Sequence, residues 1–400
     1  MLTKDVLIIG GGLVGGTLAC ALARSGVSVA VVDATAPETL LAAEADGRWS
    51  ALALSSRALF EALDLWAPLA PGSQPITDIR VCDNHAPQIL DFDGPGPLGV
   101  MVENRSVRRA LFARLAALPA ATVLAPARLR HLERHTDRVE ATLDTGQRIQ
   151  AALVVGADGR DSQVRTEAAI GLTRRTYGQS ALVQTVGHAE PHDGLAVELF
   201  LPGGPFAILP LPGRRSLVVW SERAAWVTDL LALPPARFLG ELAHRFGDFL
   251  GPLTLEGRAF AYPLGFSVAE RLVERRLVLV GDAAHGMHPV AGQGFNYGLR
   301  DVAALTEILV EGHRLGRDPG DASALAAYQA WRRPDTFVML AATDALVRLF
   351  SNDIAPVRVA RRLGLAAVNR IGPLKGILRD HAMGRRAIGP VPKLLRGTPL

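Results

Sequence analysis

Hydrophobic and polar positions follow two patterns along this chain. In the first, short unbroken apolar runs stop at a glycine: VLIIG at 6–10, LVVG at 153–156 and LVLVG at 277–281. Runs of this length without alternation predict strands buried on both faces, as in a parallel sheet. Between VLIIG and a second strand, SVAVVD at 28–33, the stretch LACALARSG carries helical spacing that stops at Gly26, so residues 5–33 predict a β-α-β unit with parallel strands. In the second pattern, from about 166 to 274, AVELF, FAILPL and SLVVWSE alternate as half-buried strands do, with short helices near 224–246. Helices are also predicted for SALALSSRALFEALDLW at 50–66, from near Asn104 in VENRSVRRALFARLAAL, and from FNYGLRDVAALTEILVEG onward as a long helical region interrupted by Pro334. Strands are predicted at 127–134 and 138–143.

Composition narrows this picture. With 400 residues, 49% of them hydrophobic, the chain can bury a large core in two or three domains. Cys20 and Cys82 are too few for a disulfide framework, and neither lies in a CxxC or Cys/His cluster, which suits a reducing cytoplasm. The N-terminus lacks a cleavage-site pattern and no run approaches about 18 apolar residues, so neither export nor a membrane span is expected. A net charge of +4 is too small to argue for nucleic acid. The charge is unevenly spread: residues 355–400 hold ten Arg or Lys against Asp380 alone, or +9, which leaves −5 for residues 1–354.

The glycines after the first strand carry chemistry. Gly10, Gly12 and Gly15 fit GxGxxG, and Asp33 follows 18 residues after the last of them, at the tip of the second strand. In such a turn the first glycine makes the bend, the second admits a pyrophosphate to the backbone, and the third lets helix and strand pack closely. The helix start offers N–H groups and positive dipole, and an acid can bond ribose hydroxyls, so this unit reads as dinucleotide-binding. Gly94, Gly96 and Gly99 in GPGPLG satisfy the same pattern, but Pro95 and Pro97 remove two N–H donors and no helix follows at once, so that stretch reads as a rigid turn.

A third glycine-rich segment, GDAAHGMHPVAGQGFNYGLRD at 281–301, follows LVLV just as the first follows VLII, which puts both loops at the carboxyl edge of one sheet, where ligands bind. Its GQG turn opens another helix whose N–H groups suit an anionic group, and Asp282 can bond a polyol. Two other readings are a surface loop packed by small residues and a metal site from Asp282, His285 and His288. The metal reading lacks a further Cys, Glu or His in this stretch to complete it.

Taken together, GGGLVGG, GADGRDSQVR and GDAAHGMHPVAGQGFNYGLRD resemble the single-component FAD-dependent aromatic hydroxylases, the class A flavoprotein monooxygenases. The phrases GPFAILPL, RLVLVGDAAHGMHPVAGQG and LGLAAVNRIGPLKGILRDHAMG look more narrowly like the ubiquinone-biosynthesis hydroxylases. The resemblance covers nearly the whole chain; Asp33 stands where many members carry Glu, and Phe295 where Leu is common.

The resemblance implies an α/β fold: a Rossmann-like FAD-binding domain in three pieces (1–75, 98–165, 275–345), a β-rich substrate domain (76–97, 166–274), and a basic C-terminal helical segment (346–400). It implies FAD held by Gly10, Gly12, Val14, Gly15, Asp33, Arg48, Asn104, Asp158, Asp282, Gly292, Gly294, Phe295 and Asn296, with Gly159 beside Asp158 in a fingerprint shared with pyridine nucleotide. Pro289 matches the loop around the flavin ring, and His285 and His288 are proton-relay candidates, for which structural roles weigh more. Arg48 as a plain surface arginine and Asn104 as a plain helix N-cap are the alternative readings of those two.

The implied reaction is ring hydroxylation of a prenylated phenol with O₂ and NADH or NADPH. The cofactor carries the hard chemistry, which agrees with the lack of a visible Ser-His-Asp set, carboxylate pair or nucleophilic cysteine. Other flavin oxidoreductases, acting on another aromatic or on a prenyl chain, and a non-catalytic FAD-binding subunit are the alternatives. The basic tail, rich in Leu, Ile and Val, suits either a peripheral position on the inner membrane or burial against this protein, a second copy or a ubiquinone-biosynthesis complex.

Overall fold

A computed structural model describes residues 1–42, 47–83, 89–287, 293–350, 369 and 371–400, which form two eight-stranded sheets and a three-stranded one. The unbroken apolar runs build the middle of the first sheet. Strands Leu277–Leu279, Arg148–Gly156, Leu2–Ile9, Val29–Val32 and Ala121–Leu124 lie side by side and parallel. Val6, Leu7, Ile8, Leu153, Val154, Val155 and Leu277–Leu279 are wholly buried, which is why these runs do not alternate. Each such side chain contributes roughly 1.5–3 kcal/mol by leaving water. Ile9 is in register with Gly156, and Gly156 with Leu279, so the three glycine-ended strands release their loops at one level of one edge. Antiparallel strands Leu129–Arg134 and Val139–Leu143 extend the sheet through Arg148–Gly156.

The alternating segments form the second sheet, in the order His285–Gly286, Leu253–Ala269, Leu172–His188, Arg215–Arg223, Gly204–Leu211, Leu195–Leu201, Asp78–Asp83 and Ile89–Phe92. One face packs Leu182, Val197, Phe206, Val218 and Trp220 against helices Ala224–Leu231 and Pro235–Phe246. The other face, carrying Ala196, Ala207, Leu217 and Val219, borders a cavity. Gly286 and His285 pair with Ser267 and Val268, so the loop after Asp282 is stitched onto the second sheet while the strand before it belongs to the first.

Two predicted elements differ. Residues 50–66 do not form one helix: Trp49–Ala53 is a strand paired antiparallel with Gly99–Glu103, and the helix is Leu54–Ala62. Pairing with a distant strand outweighs the helical preference of Ala and Leu there. Helix Ala322–Phe350 runs through Pro334 instead of being interrupted by it. Pro334 lacks an N–H, but Arg332 and Asp335 on either side are tied by buried ion pairs to Asp301 and Arg300 of the preceding helix, which anchors both turns. The stretch GPGPLG joins strand Ile89–Phe92 to Gly99–Glu103 without a helix.

Candidate cofactor and substrate cavity

One cavity of about 1070 Å³ begins at the glycine-rich turns and ends among apolar side chains of the second sheet and the C-terminal helices. Pockets for a single drug-sized ligand span about 300–1,000 Å³, so this one stands at the upper end of that range.

At the glycine end the three motif glycines do different work. A Cβ on Gly15 would lie 1.9 Å from the Gly10 carbonyl oxygen, and one on Gly10, whose φ is +103°, would lie 2.3 Å from that of Ala157. Both positions are closed by the fold itself. Gly12 lines the cavity, and a Cβ there would meet nothing within 4 Å. Helix Leu13–Arg24 begins at that point with no side-chain cap, so its first N–H groups have no intrahelical acceptor. An open glycine under an uncapped helix start fits the pyrophosphate of FAD. Val14 also lines the cavity and is held by glycines at 281 and 298, where a Cβ would come within 3.2 and 2.6 Å of its side chain. Asp33 accepts from Gly11 N–H at 2.7 Å and Thr35 N–H at 2.8 Å, so the acid sets the turn's shape, and it does not itself line the cavity.

The other predicted residues divide into two groups. Arg48, Asn104, Asp282, Gly294 and Phe295 line the cavity. The Arg48 guanidinium lies 5.1 Å from the centre of the Tyr262 ring. Asn104 is the first residue of helix Asn104–Ala116, not its cap, and its side-chain oxygen accepts from the Ser50 hydroxyl at 2.6 Å. Asp282 is half-exposed to the cavity and accepts from Arg160 at 3.3 Å, a long contact that leaves it available to a ligand.

Asp158, His285 and Asn296 are not on the cavity wall. Asp158 accepts from the Ser162 hydroxyl at 2.5 Å and Val164 N–H at 3.1 Å, which shapes the turn that presents Ala157, Gly159 and Arg160 to the cavity. Asn296 bonds the Ala53 N–H, the Ser56 hydroxyl and the Ala51 carbonyl, each at 2.8 Å, and so fixes strand Trp49–Ala53, which carries Ser50 and follows directly on Arg48. His285 is buried with its Nε2 2.6 Å from Asp301, and Asp301 also accepts from Gly281 N–H and Arg332. Burial pushes the Asp301 carboxyl up, but His285 and Arg332 outweigh it and hold the group near about 2. This is a buried ionic clamp behind the Asp282 turn. Pro289, Gly292 and His288 lie outside the described residues. Among those described, no cluster of three His, Cys, Asp or Glu could hold a metal.

Sequence reasoning missed the apolar end of the cavity. Val81, Leu90, Ala196, Phe200, Leu209 and Val219 line it from the second sheet, and Leu346, Phe350 and Met383 from the C-terminal region. Phe200 and Phe350 pack with ring centres 4.0 Å apart and planes tilted by 30°. Among the described residues Glu198 is the one acid on this sheet wall, and the interruption of an apolar strand in AVELF was its only signal.

Comparison with known proteins agrees with this geometry. The family model described as FAD binding domain matches residues 3–341. The ubiquinone hydroxylase UbiL of Rhodospirillum rubrum is 60% identical, over 99% of this chain and 93% of its own. The 3-demethoxyubiquinol 3-hydroxylase of Escherichia coli is 37% identical, over 95% and 98%. Among solved structures, Pseudomonas aeruginosa PqsL in complex with 2-aminobenzoylacetate aligns with a TM-score of 0.76 at 25% identity, covering 90% of this chain and all of the other. The p-nitrophenol 4-monooxygenase PnpA of Pseudomonas putida shares the fold, with a TM-score of 0.79 at 19% identity over 96% of this chain and all of its own. With a glycine cradle, a polar middle and an apolar chamber in one continuous space, this chain belongs to the FAD-binding-domain family and is a flavoprotein monooxygenase.

Proposed function

We propose that the enzyme hydroxylates the aromatic ring of a prenylated phenol in ubiquinone biosynthesis, with NADH or NADPH as reductant and O₂ as oxygen donor. The observation that carries this reading is the continuity of the cavity: the glycine cradle opens into a chamber walled by aliphatic and aromatic side chains, which suits a ring with a long apolar substituent. The names of the two relatives, a ubiquinone hydroxylase and a 3-demethoxyubiquinol 3-hydroxylase, support it. FAD, when bound, supplies the redox chemistry and the activation of O₂. The chain's own groups bind and orient it: Gly12 and the first turn of helix Leu13–Arg24 take the pyrophosphate, Asp33 the ribose, Asp282 the polyol, and Gly294, Phe295 and Arg48 border the ring. Apolar walls exclude water from the reacting face.

Profiling quinone intermediates in a strain lacking the protein tests this reading. Accumulation of a prenylated phenol lacking one hydroxyl is expected, together with O₂ consumption by the FAD-loaded enzyme when such a phenol is added. A prenyl-reducing flavoenzyme would consume no O₂, and a non-catalytic subunit would show no substrate-stimulated NADH or NADPH oxidation.

We also propose peripheral attachment to an anionic membrane, where a prenylated substrate resides. Among the described residues no helix is long and apolar enough to cross a membrane. Leu346, Leu349 and Leu378 are exposed on the C-terminal helices and also border the cavity, which supports entry of an apolar chain from that side. The tail is less free electrostatically than its sequence implies: Lys375 pairs with Asp93, Arg386 with Asp380, and Lys393 with Glu307 and Glu311. Arg361, Arg362 and Arg370 lie outside the described residues. Replacing these three and Lys375 with Gln is expected to weaken salt-sensitive binding to anionic liposomes. Binding that ignores salt, lipid charge and those substitutions would assign the basic residues to subunit contact.

A further inference from the structure

We propose that Glu198 accepts the phenol proton of the ring to be hydroxylated, a proposal that rests on reading the apolar chamber as the prenylated-phenol site. Glu198 lies on strand Leu195–Leu201, whose odd positions Val197 and Leu199 pack into the core behind the sheet. On the other face, Glu198 is in register with Val81 on one side and Ala207 on the other, and Ala207 with Val219. All four line the cavity, so one carboxyl stands in the middle of an otherwise apolar row.

Its position along the strand is also informative. Two residues before it, Ala196 joins a cluster that includes Trp49 and Ala51 of the strand bordering the cofactor end. Two residues after it, Phe200 packs on Phe350 of helix Ala322–Phe350. At about 3.3 Å per residue, Glu198 is roughly 7 Å from either neighbour, between the end that takes the flavin and the end that takes an apolar tail. Among the described residues, no hydrogen-bond or ion-pair partner is found for it.

A carboxyl in such surroundings, with no partner among the described residues, needs one from a ligand. Burial raises Glu198 to about 7. A phenol ionises near 10, so the shift narrows the gap between acceptor and donor from about six pH units to about three. In the step proposed, the phenol O–H breaks, the proton goes to a Glu198 carboxylate oxygen, and the electron pair stays on the phenol oxygen. Nothing is oxidised or reduced. The ring is left more electron-rich when an electrophilic oxygen is to be transferred to it. Other charged groups share the cavity: Arg48, Arg108, Arg160 and Asp282 toward the glycine turns and Arg379 on helix Gly372–Ala382. Asp83 is two residues along from Val81 on the neighbouring strand.

The test compares binding of 2-farnesylphenol and its O-methyl ether to the FAD-loaded enzyme, read by flavin fluorescence between pH 5.5 and 8.5, for the natural protein and Glu198→Gln. A carboxylate accepts from the phenol but has nothing to accept from the ether, so the natural enzyme should prefer the phenol by about tenfold or more at high pH. The preference should shrink below pH 7, where the protonated acid can donate to either oxygen. In Glu198→Gln the preference should be small and independent of pH, since an amide both donates and accepts. Single-turnover hydroxylation of 2-farnesylphenol should fall by about 10²-fold or more in that variant, within the range of lost acid–base catalysis. A phenol-to-ether ratio near one at every pH in the natural enzyme, or a pH-dependent ratio that Glu198→Gln retains, overturns the proposal. The natural enzyme alone decides the first point, whether or not the variant folds. If the FAD-loaded enzyme binds neither compound, the prenylated-phenol reading itself fails and this proposal with it.

Discussion

The two ends of the cavity select their ligands by different means. At the glycine end the contacts come from backbone: an open position at Gly12, uncapped N–H groups, and acids that hold turns in shape. At the apolar end they come from side chains on a sheet wall, with a single carboxyl among the described residues. Backbone recognition needs glycines at set spacing next to one strand. Side-chain recognition needs only that residues far apart in sequence share a face, so it leaves no local motif.

The largest expected effects contrast two glycines of the same turn. Gly15→Val should prevent folding, because its Cβ would sit 1.9 Å from a backbone oxygen that cannot move without breaking the strand-to-helix turn. Circular dichroism and solubility report this directly. Gly12→Val should fold normally, since that position faces open space, yet lose FAD by about 100-fold or more, because the side chain fills the pyrophosphate's place. Equal FAD retention in Gly12→Val would mean that the cradle is misassigned.

At the other end, Ala207→Phe places a ring beside Glu198 on the cavity floor. Binding of a farnesylated phenol should weaken by at least about tenfold, while FAD content stays normal. Loss of both would show that the two ends are not separable. Asp282→Ala should weaken FAD by about tenfold, the worth of one hydrogen-bonded carboxylate contact, and leave the melting temperature of the FAD-free protein unchanged. Its protein contact is a single half-exposed 3.3 Å bond, so a drop in that temperature would make Asp282 structural.

The last effect is a pH dependence of stability, not of binding. Because Glu198 is raised in the folded protein, its contribution to stability is fully present below the ordinary Glu value near 4 and is lost as pH rises through about 7. Glu198→Gln carries no such loss. Its stability relative to the natural protein should therefore grow between pH 5 and 8, by on the order of 1–3 kcal/mol, measured by denaturant unfolding without FAD. A constant difference would mean that the carboxyl is better solvated than its surroundings imply.

What was legible in the sequence follows the same division. The parallel strands at 6–9, 153–156 and 277–279, the glycine turn, Asp33 and Asp282 were all readable, because buried runs and turns that need glycine are local requirements. The strand at 49–53 was not, since its partner at 99–103 lies about fifty residues away and its composition favours helix. The proline at 334 misled for a similar reason: the buried Asp301–Arg332–Asp335–Arg300 pairs that hold its helix join two helices.

By itself, then, the sequence determined where backbone must bend and which strands are buried on both sides, and from these the existence of a dinucleotide cradle. Tertiary structure alone decided that His285 turns inward to Asp301, that Asn296 holds a strand instead of facing the cavity, and that Glu198 looks into an apolar chamber. The direction of a side chain depends on what packs against each face of its element, and those neighbours come from strands 78–83 and 204–211 and from helices beyond 322. No window of sequence around residue 198 contains them all.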